Sequence, residues 1–147
     1  MTSTQRPSAA GFSLIELMVV VAIVAILGSL AVSTYSSYVR RANRSDATRS
    51  ILLSAQALQR CYSQNFTYQP PGGCSSPAGT KPSLGGYYSI TIAIPTATTY
   101  TIQATPLTSP QTLDTQCVKF TINSAGVQSA LNSGGTDATK TCWGAGN

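Results

Sequence analysis

GFSLIELMVVVAIVAILGSL, residues 11–30, is the stretch whose reading decides the fold. A short polar leader with one basic residue, Arg6, meets Gly11, and Phe12 follows. From Leu14 to Val32 the chain is almost continuously apolar. A helix needs about 20 such residues, at 1.5 Å each, to cross a bilayer. One charge interrupts the run. Glu16 places a carboxylate near its start, and insertion scales set the cost of a charged side chain at the helix centre at roughly 2.5–3.5 kcal/mol, less near an end. Something must neutralise Glu16, and that requirement points to function.

Two ordinary accounts of the run fit poorly. A cleaved secretory signal has an apolar region of about 7–15 residues followed by a small-x-small site. Here the run is longer, and Ser33-Thr34-Tyr35-Ser36-Ser37-Tyr38 makes a weak cleavage site. A plain single-pass anchor explains neither Glu16 nor the Gly-Phe pair ahead of the run. The bias of basic residues also conflicts with the cysteines. Arg40, Arg41, Arg44 and Arg49 follow the run and only Arg6 precedes it, which by the positive-inside rule would leave the large domain in the cytosol. Cys61, Cys74, Cys117 and Cys142 argue the opposite. Their even number, without a CxxC pair, suggests two disulfides in an oxidising compartment, and this argument is the stronger. Four cysteines allow three connectivities. Nearest-neighbour pairing, Cys61–Cys74 and Cys117–Cys142, is expected, because each bridge then closes a Gly/Ser/Pro-rich loop.

Composition narrows the chemistry. Charged residues are 9% of the 147, against roughly 25% in an ordinary soluble domain. There is no histidine, hence no common general base or metal ligand. The acids after Glu16 are Asp46, Asp114 and Asp137. With no convergent acids and no Gly-rich phosphate loop, the chain offers no catalytic constellation. Neither an enzyme, nor a cofactor, nor a bound metal is expected.

Gly11-Phe12-Ser13-Leu14-Ile15-Glu16, followed by the apolar run, resembles the class III signal of type IV pilins. The resemblance implies cleavage between Gly11 and Phe12 by a prepilin peptidase and N-methylation of the new Phe12 amine. It also implies filament assembly in which Glu16 pairs with the Phe12 ammonium of a neighbouring subunit. A buried charge is tolerable when paired, so one lone carboxylate becomes an assembly signal. Residues 1–11 then form the leader, 12–34 the transmembrane and polymerisation half of a long helix, and 35–147 the head. The subunit would wait in the inner membrane with its head in the periplasm, surrounded by lipid, before the inner-membrane pilus machinery moves it into an extracellular filament. The chain departs from the family at Ala25, where many members carry Gly, and at Ser33, where many carry Pro. Both departures favour an unbroken helix, since Pro costs a helix roughly 3 kcal/mol.

Helical spacing continues beyond the run. Ile51, Ala55, Leu58 and Tyr62 form one apolar stripe, and Tyr35, Val39 and Ala42 extend a similar face. One helix from about Ser13 to Cys61 or Tyr62 is expected, around 70 Å long. Strands are expected at 87–94, 99–104, 117–122 and 127–131, from alternation and β-branched or aromatic residues. Pro95–Thr98 has hairpin length, and Asn123-Ser124-Ala125-Gly126 is turn chemistry. The fold class is therefore α+β, a long N-terminal helix packed on a four-stranded antiparallel sheet, which also matches the pilin family. Asn65–Gly86 and Ser133–Asn147 read as loops.

The net charge of +5 needs a partner. Arg40, Arg41 and Arg44 crowd one helical face, and Asp46 can pair with Arg49 at i, i+3. That face reads as solvated or against lipid headgroups. Lys81, Lys119 and Lys140 are the better candidates for phosphate contact with DNA, provided they converge. The leading function is a structural pilus subunit serving adhesion, twitching motility and DNA uptake. The alternatives are a minor or competence pilin that binds extracellular DNA, or a pseudopilin of type II secretion. Asp137 stands alone in the C-terminal segment, too few hard ligands for the calcium loop such pseudopilins carry.

Overall fold

The computed structural model describes residues 13–69, 74 and 79–144, without the side chains of 30–34. Gly11 and Phe12 lie outside the described residues. The elements are α1 (Leu14–Asn65), β1 (Gly79–Pro82), β2 (Tyr88–Thr96), β3 (Thr99–Pro106), a 3-10 turn (Gln111–Leu113), β4 (Lys119–Asn123), β5 (Gln128–Leu131) and α2 (Thr139–Cys142). The chain divides into two compact units after Ser37.

In the first unit every large apolar side chain from Leu14 to Leu27 is 52–76% exposed. Such a helix is apolar all round and needs lipid or other helices against it. Residues 25 to 33 lie inside α1, which runs unbroken for 52 residues. Among the described residues no helix is long and apolar enough to cross a membrane, and the expected span, 12–34, lies partly outside them.

In the second unit α1 buries one stripe against the sheet. Its members are Arg44, Ala47, Ile51, Ser54 with Ala55, and Leu58, at the 3-and-4 spacing of a single helical face. This corrects the expected upper face. Tyr35 is 70% exposed and Ala42 is exposed; the stripe continues through Ala47 and Arg44 instead, because those positions lie in line with Ile51.

The sheet has five strands in the order β1-β2-β3-β4-β5, not four, and every pair is antiparallel. The strand missed from the sequence is β1. Gly-Thr-Lys-Pro has no apolar alternation, and all four residues are exposed. It is an edge strand whose Pro and Lys blunt further pairing. Rows of directly opposed residues point to one face. Ile90–Ala104–Phe120–Ala130 and Ile92–Ile102–Ile122 face α1. The opposite face carries Thr91, Gln103, Thr121 and Ser129. Tyr88 and Phe120 meet edge-to-face at 5.6 Å in the core. The Asn123–Gly126 segment closes its turn with the Gly126 N–H donating to the Asn123 carbonyl at 2.9 Å. Gly126 has φ 78°, a conformation that favours glycine.

The C-terminal segment is more structured than a loop. Leu131 bridges Asp137, and α2 follows. Cys61 is bonded to Cys74, and Cys117 to Cys142. The first bridge ties the end of α1 to the segment before β1. The second ties the segment just before β4 to the end of α2.

Candidate functional site

Three groups of residues carry the chemistry. The first is the N-terminal motif. Glu16 occupies the first turn of α1, where a carboxylate is favoured by the helix dipole, and it is exposed in the single chain. No intrachain ion pair reaches it among the described residues.

The second group is a buried polar network that docks α1 onto the segment before β4. Arg44 Nε donates to Asp114 Oδ2 at 2.7 Å, and Nη2 donates to Asp114 Oδ1 at 2.8 Å. Nη2 also donates to Gln116 Oε1 at 3.0 Å. The pair is desolvated, with side-chain exposures of 9% and 2%. Asp114 Oδ1 further accepts the backbone N–H of Gln116 at 3.1 Å and of Cys117 at 3.4 Å. Beside it, Gln111 Nε2 donates to the Tyr88 hydroxyl at 2.6 Å and to the Arg40 carbonyl at 3.1 Å. Burial pushes the Tyr88 phenol up to about 12, while the Gln111 hydrogen bond pulls the other way. Tyr68, packed between Tyr62 and Tyr100, is raised as well, by burial first and then by its two tyrosine neighbours.

The sequence reading missed this network. Arg44 and Asp114 are 70 residues apart, and no local signal joins them. The available hint was that Arg44 falls on the line of Ala47, Ile51 and Leu58. The expected crowding of three arginines on one free face is therefore corrected. Arg44 is buried and paired, Arg40 is half-buried and Arg41 is exposed.

The Asp46–Arg49 pair is corrected too. Asp46 instead caps the β1–β2 turn. Its Oδ1 accepts the Gly85 N–H at 2.8 Å, and its Oδ2 accepts the Ser83 hydroxyl. Ser50 Oγ accepts the Leu84 N–H at 3.1 Å alongside. A Cβ at Gly85 would lie 3.0 Å from Asp46 Cγ, so a side chain there would press on the carboxylate that holds the turn. A carboxylate held by two donors of a turn is no longer placed to pair with Arg49.

The third group is the basic surface. Lys81 lies on β1 opposite Ile90 and lines a cleft of about 200 Å³ with Ser50, Leu53 and Leu84. Lys119 begins β4, in the alternate row opposite Leu131, so it belongs to the other face of the sheet. Lys140 is in α2, next to β5. Lys81 and Lys119 are thus on opposite faces and three strands apart, roughly 14 Å at 4.7–4.9 Å per strand. Lys119 and Lys140 belong to the β4–β5–α2 end of the sheet; Lys81 belongs to its other edge.

Comparisons with known proteins agree with this architecture. Residues 33–121 match the family described as "Type IV minor pilin ComP, DNA uptake sequence receptor". Residues 6–32 match the prokaryotic N-terminal methylation motif. The chain is 39% identical over 51 residues to the "Prepilin peptidase-dependent protein D" of Escherichia coli K12, a match covering 35% of each chain; it spans about a third of that relative's length. The crystal structure of the Neisseria meningitidis non-core minor pilin PilV is similar with a TM-score of 0.51 and 25% identity, over 65% of this chain and 90% of that one. With its described head matching that family from α1 through β4, the chain belongs to the type IV minor pilin ComP family and carries the N-terminal methylation motif of prepilins.

Proposed function

We propose that the chain is a minor subunit of a type IV pilus whose head contacts extracellular DNA. Prepilin peptidase would cut between Gly11 and Phe12, and methylation of Phe12 would follow. The subunit would hold in the inner membrane by its apolar helix, head in the periplasm, until the assembly machinery draws it into the filament. There Glu16 pairs with the Phe12 ammonium of a neighbour. Adhesion and twitching would be properties of the filament; DNA contact is the property of this head.

One observation carries the DNA reading: the head spends its acids internally. Asp114 is taken by Arg44, Asp46 by the β1–β2 turn, and Asp137 by the Thr139 N–H and hydroxyl. Among the described residues, Arg44 is the only cation with a carboxylate partner. The head's eight Lys and Arg against three Asp leave +5 facing outward, which is the electrostatic footprint of a phosphate-binding surface. The family description, a receptor for DNA uptake sequence, supports the same reading.

The test is fluorescence anisotropy of labelled duplex with the full chain in detergent, over a salt series. Log affinity should fall linearly with log salt, by about 0.9 per neutralised phosphate. Lys119→Gln and Lys140→Gln should each lower the slope by about 1. Absence of binding at 50 mM salt would end the proposal.

A further inference from the structure

The arginines that follow the apolar run stand on the side of the membrane where the positive-inside rule does not expect them. Arg41 and Arg44 line a cleft of about 320 Å³ with Ser45, Thr48 and Trp143. Arg44 is nine-tenths buried, and Asp114 and Gln116 hold two of its three nitrogens. Among the described residues its third, Nη1, has no hydrogen-bond partner, so a rigid donor remains for a ligand. Arg41, one helical turn away, is exposed. Trp143 forms the other wall. Its indole N–H donates to the Ser129 carbonyl at 2.9 Å, and Phe120 meets its ring edge-to-face at 6.1 Å. The ring orientation is thus set before any ligand arrives. The hydroxyls of Ser45 and Thr48 donate to α1 carbonyls, which leaves the arginines as the charged donors, with the Thr141 hydroxyl beside them. No carboxylate lines the cleft.

We infer that this cleft binds the phosphate of an anionic phospholipid headgroup while the subunit waits in the membrane. The inference rests on the reading above that the chain is bilayer-anchored before assembly. The fork of Arg44 is taken by Asp114, so Arg44 offers Nη1 alone; the exposed Arg41 supplies the guanidinium fork that matches phosphate oxygens in a way a lysine does not. Tryptophan is favoured at the membrane interface, where one part of the ring is apolar and its N–H is satisfied. Chain length keeps the site near the bilayer: from Val32 to Arg41 no path exceeds roughly 30 Å. Each basic residue near an anionic surface is worth about fivefold in affinity. A phosphate-bearing lipid is favoured over DNA here because the cleft lies so few residues from the apolar run.

The chain has one tryptophan, so Trp143 emission reports on this cleft alone. The experiment reconstitutes the full chain in phosphatidylcholine liposomes containing 30% phosphatidylglycerol, with bromine quenchers carried on one lipid or the other. Brominated phosphatidylglycerol should quench Trp143 several-fold more than brominated phosphatidylcholine at equal mole fraction. Arg41→Gln, at an exposed position, should reduce that preference about fivefold, with Arg41→Lys in between. Equal quenching by the two lipids, or a preference that survives Arg41→Gln, would overturn the inference. So would an emission change of similar size with millimolar inorganic phosphate or with duplex DNA, which would give the cleft to a free anion or to nucleic acid. Flotation separates the two layers of the argument. A chain that fails to float with pure phosphatidylcholine liposomes overturns the membrane reading and this inference together. A chain that floats without headgroup preference overturns this inference alone.

Discussion

Asp114→Asn tests whether the Arg44–Asp114 pair holds α1 to the head. In the native chain Asp114 accepts hydrogen bonds from two Arg44 nitrogens and from the backbone N–H groups of Gln116 and Cys117. An asparagine can keep its oxygen toward three of these donors. Its amide nitrogen then faces Arg44 Nε, donor against donor, where a 2.7 Å bond stood. The larger loss is electrostatic. The guanidinium stays buried, 9% exposed, with no counter-charge. Breaking a buried pair from one side costs about 3–5 kcal/mol, a large share of the 5–15 kcal/mol that holds an ordinary domain. Urea unfolding of the full chain in detergent, followed by Trp143 emission, should show the midpoint falling by roughly 2–3 M at a typical slope near 1.5 kcal/mol/M. The control replaces both partners, Arg44→Met with Asp114→Leu. Removing the pair as a unit leaves no orphan charge, so most of the stability should return. A loss under about 1 kcal/mol for Asp114→Asn would refute the reasoning, since it would mean water reaches the guanidinium. A double variant as unstable as the single one would refute it too, by showing that the network's geometry rather than its charge balance is what matters.

The bridges and the buried phenol make two further predictions. Replacing Cys117 and Cys142 by alanine removes a crosslink spanning 25 residues, which chain-entropy reasoning sets at about 3.5 kcal/mol; the 13-residue Cys61–Cys74 bridge comes to about 2.9 kcal/mol, and urea midpoints unchanged from the parent in both double variants would contradict this. Tyr88 has its folded pKa raised above the ordinary 10.0 to about 12, so the unfolded chain loses this proton first. Its contribution is therefore whole below pH 10 and lost as pH climbs toward 12; alkaline unfolding should be weaker in Tyr88→Phe across that window, and identical pH profiles for the two proteins would dispose of the assignment.

What could be read from residues alone follows a physical divide. Tyr88 to Ile94 and Thr99 to Ala104 announce strands because one face of the sheet is buried and the other wet, which writes alternation into the chain. The Gly11-to-Glu16 motif is legible for a related reason: a carboxylate in an apolar helix is costly, so its presence requires a cause. β1 was not legible, because Gly79–Pro82 is an exposed edge strand held by pairing to β2 rather than by burial of its own side chains. Two charges share one cause. Helix spacing groups Arg44 with Arg40 and Arg41 and pairs Asp46 with Arg49, yet their partners are Asp114 and the Ser83–Gly85 turn. Local rules describe an isolated helix. Tertiary contacts 37 to 70 residues away offer Arg44 a buried bidentate pair and Asp46 two turn donors, which outweigh an exposed pair worth a few tenths of a kcal/mol.

The charge balance also bears on where such a subunit belongs in a pilus. Each head, residues 35–147, carries eight Lys and Arg against three Asp, the same +5 in every copy, and those acids are occupied within the chain. A neighbouring copy therefore brings more cations and few free carboxylates with which to answer them. Screening at physiological salt acts over about 8 Å, so heads in contact would feel this repulsion and heads spaced apart by other pilins would not. A filament built from this chain alone would accumulate positive charge along its length. A few copies among less basic subunits would concentrate it where an anionic ligand can use it. Under the proposed function Glu16 and the apolar helix would provide for entry to the filament; the unanswered charge of the head then argues that the chain would enter as a minority and draw its counter-charges from outside the protein, from lipid phosphate before assembly and from DNA phosphate after it.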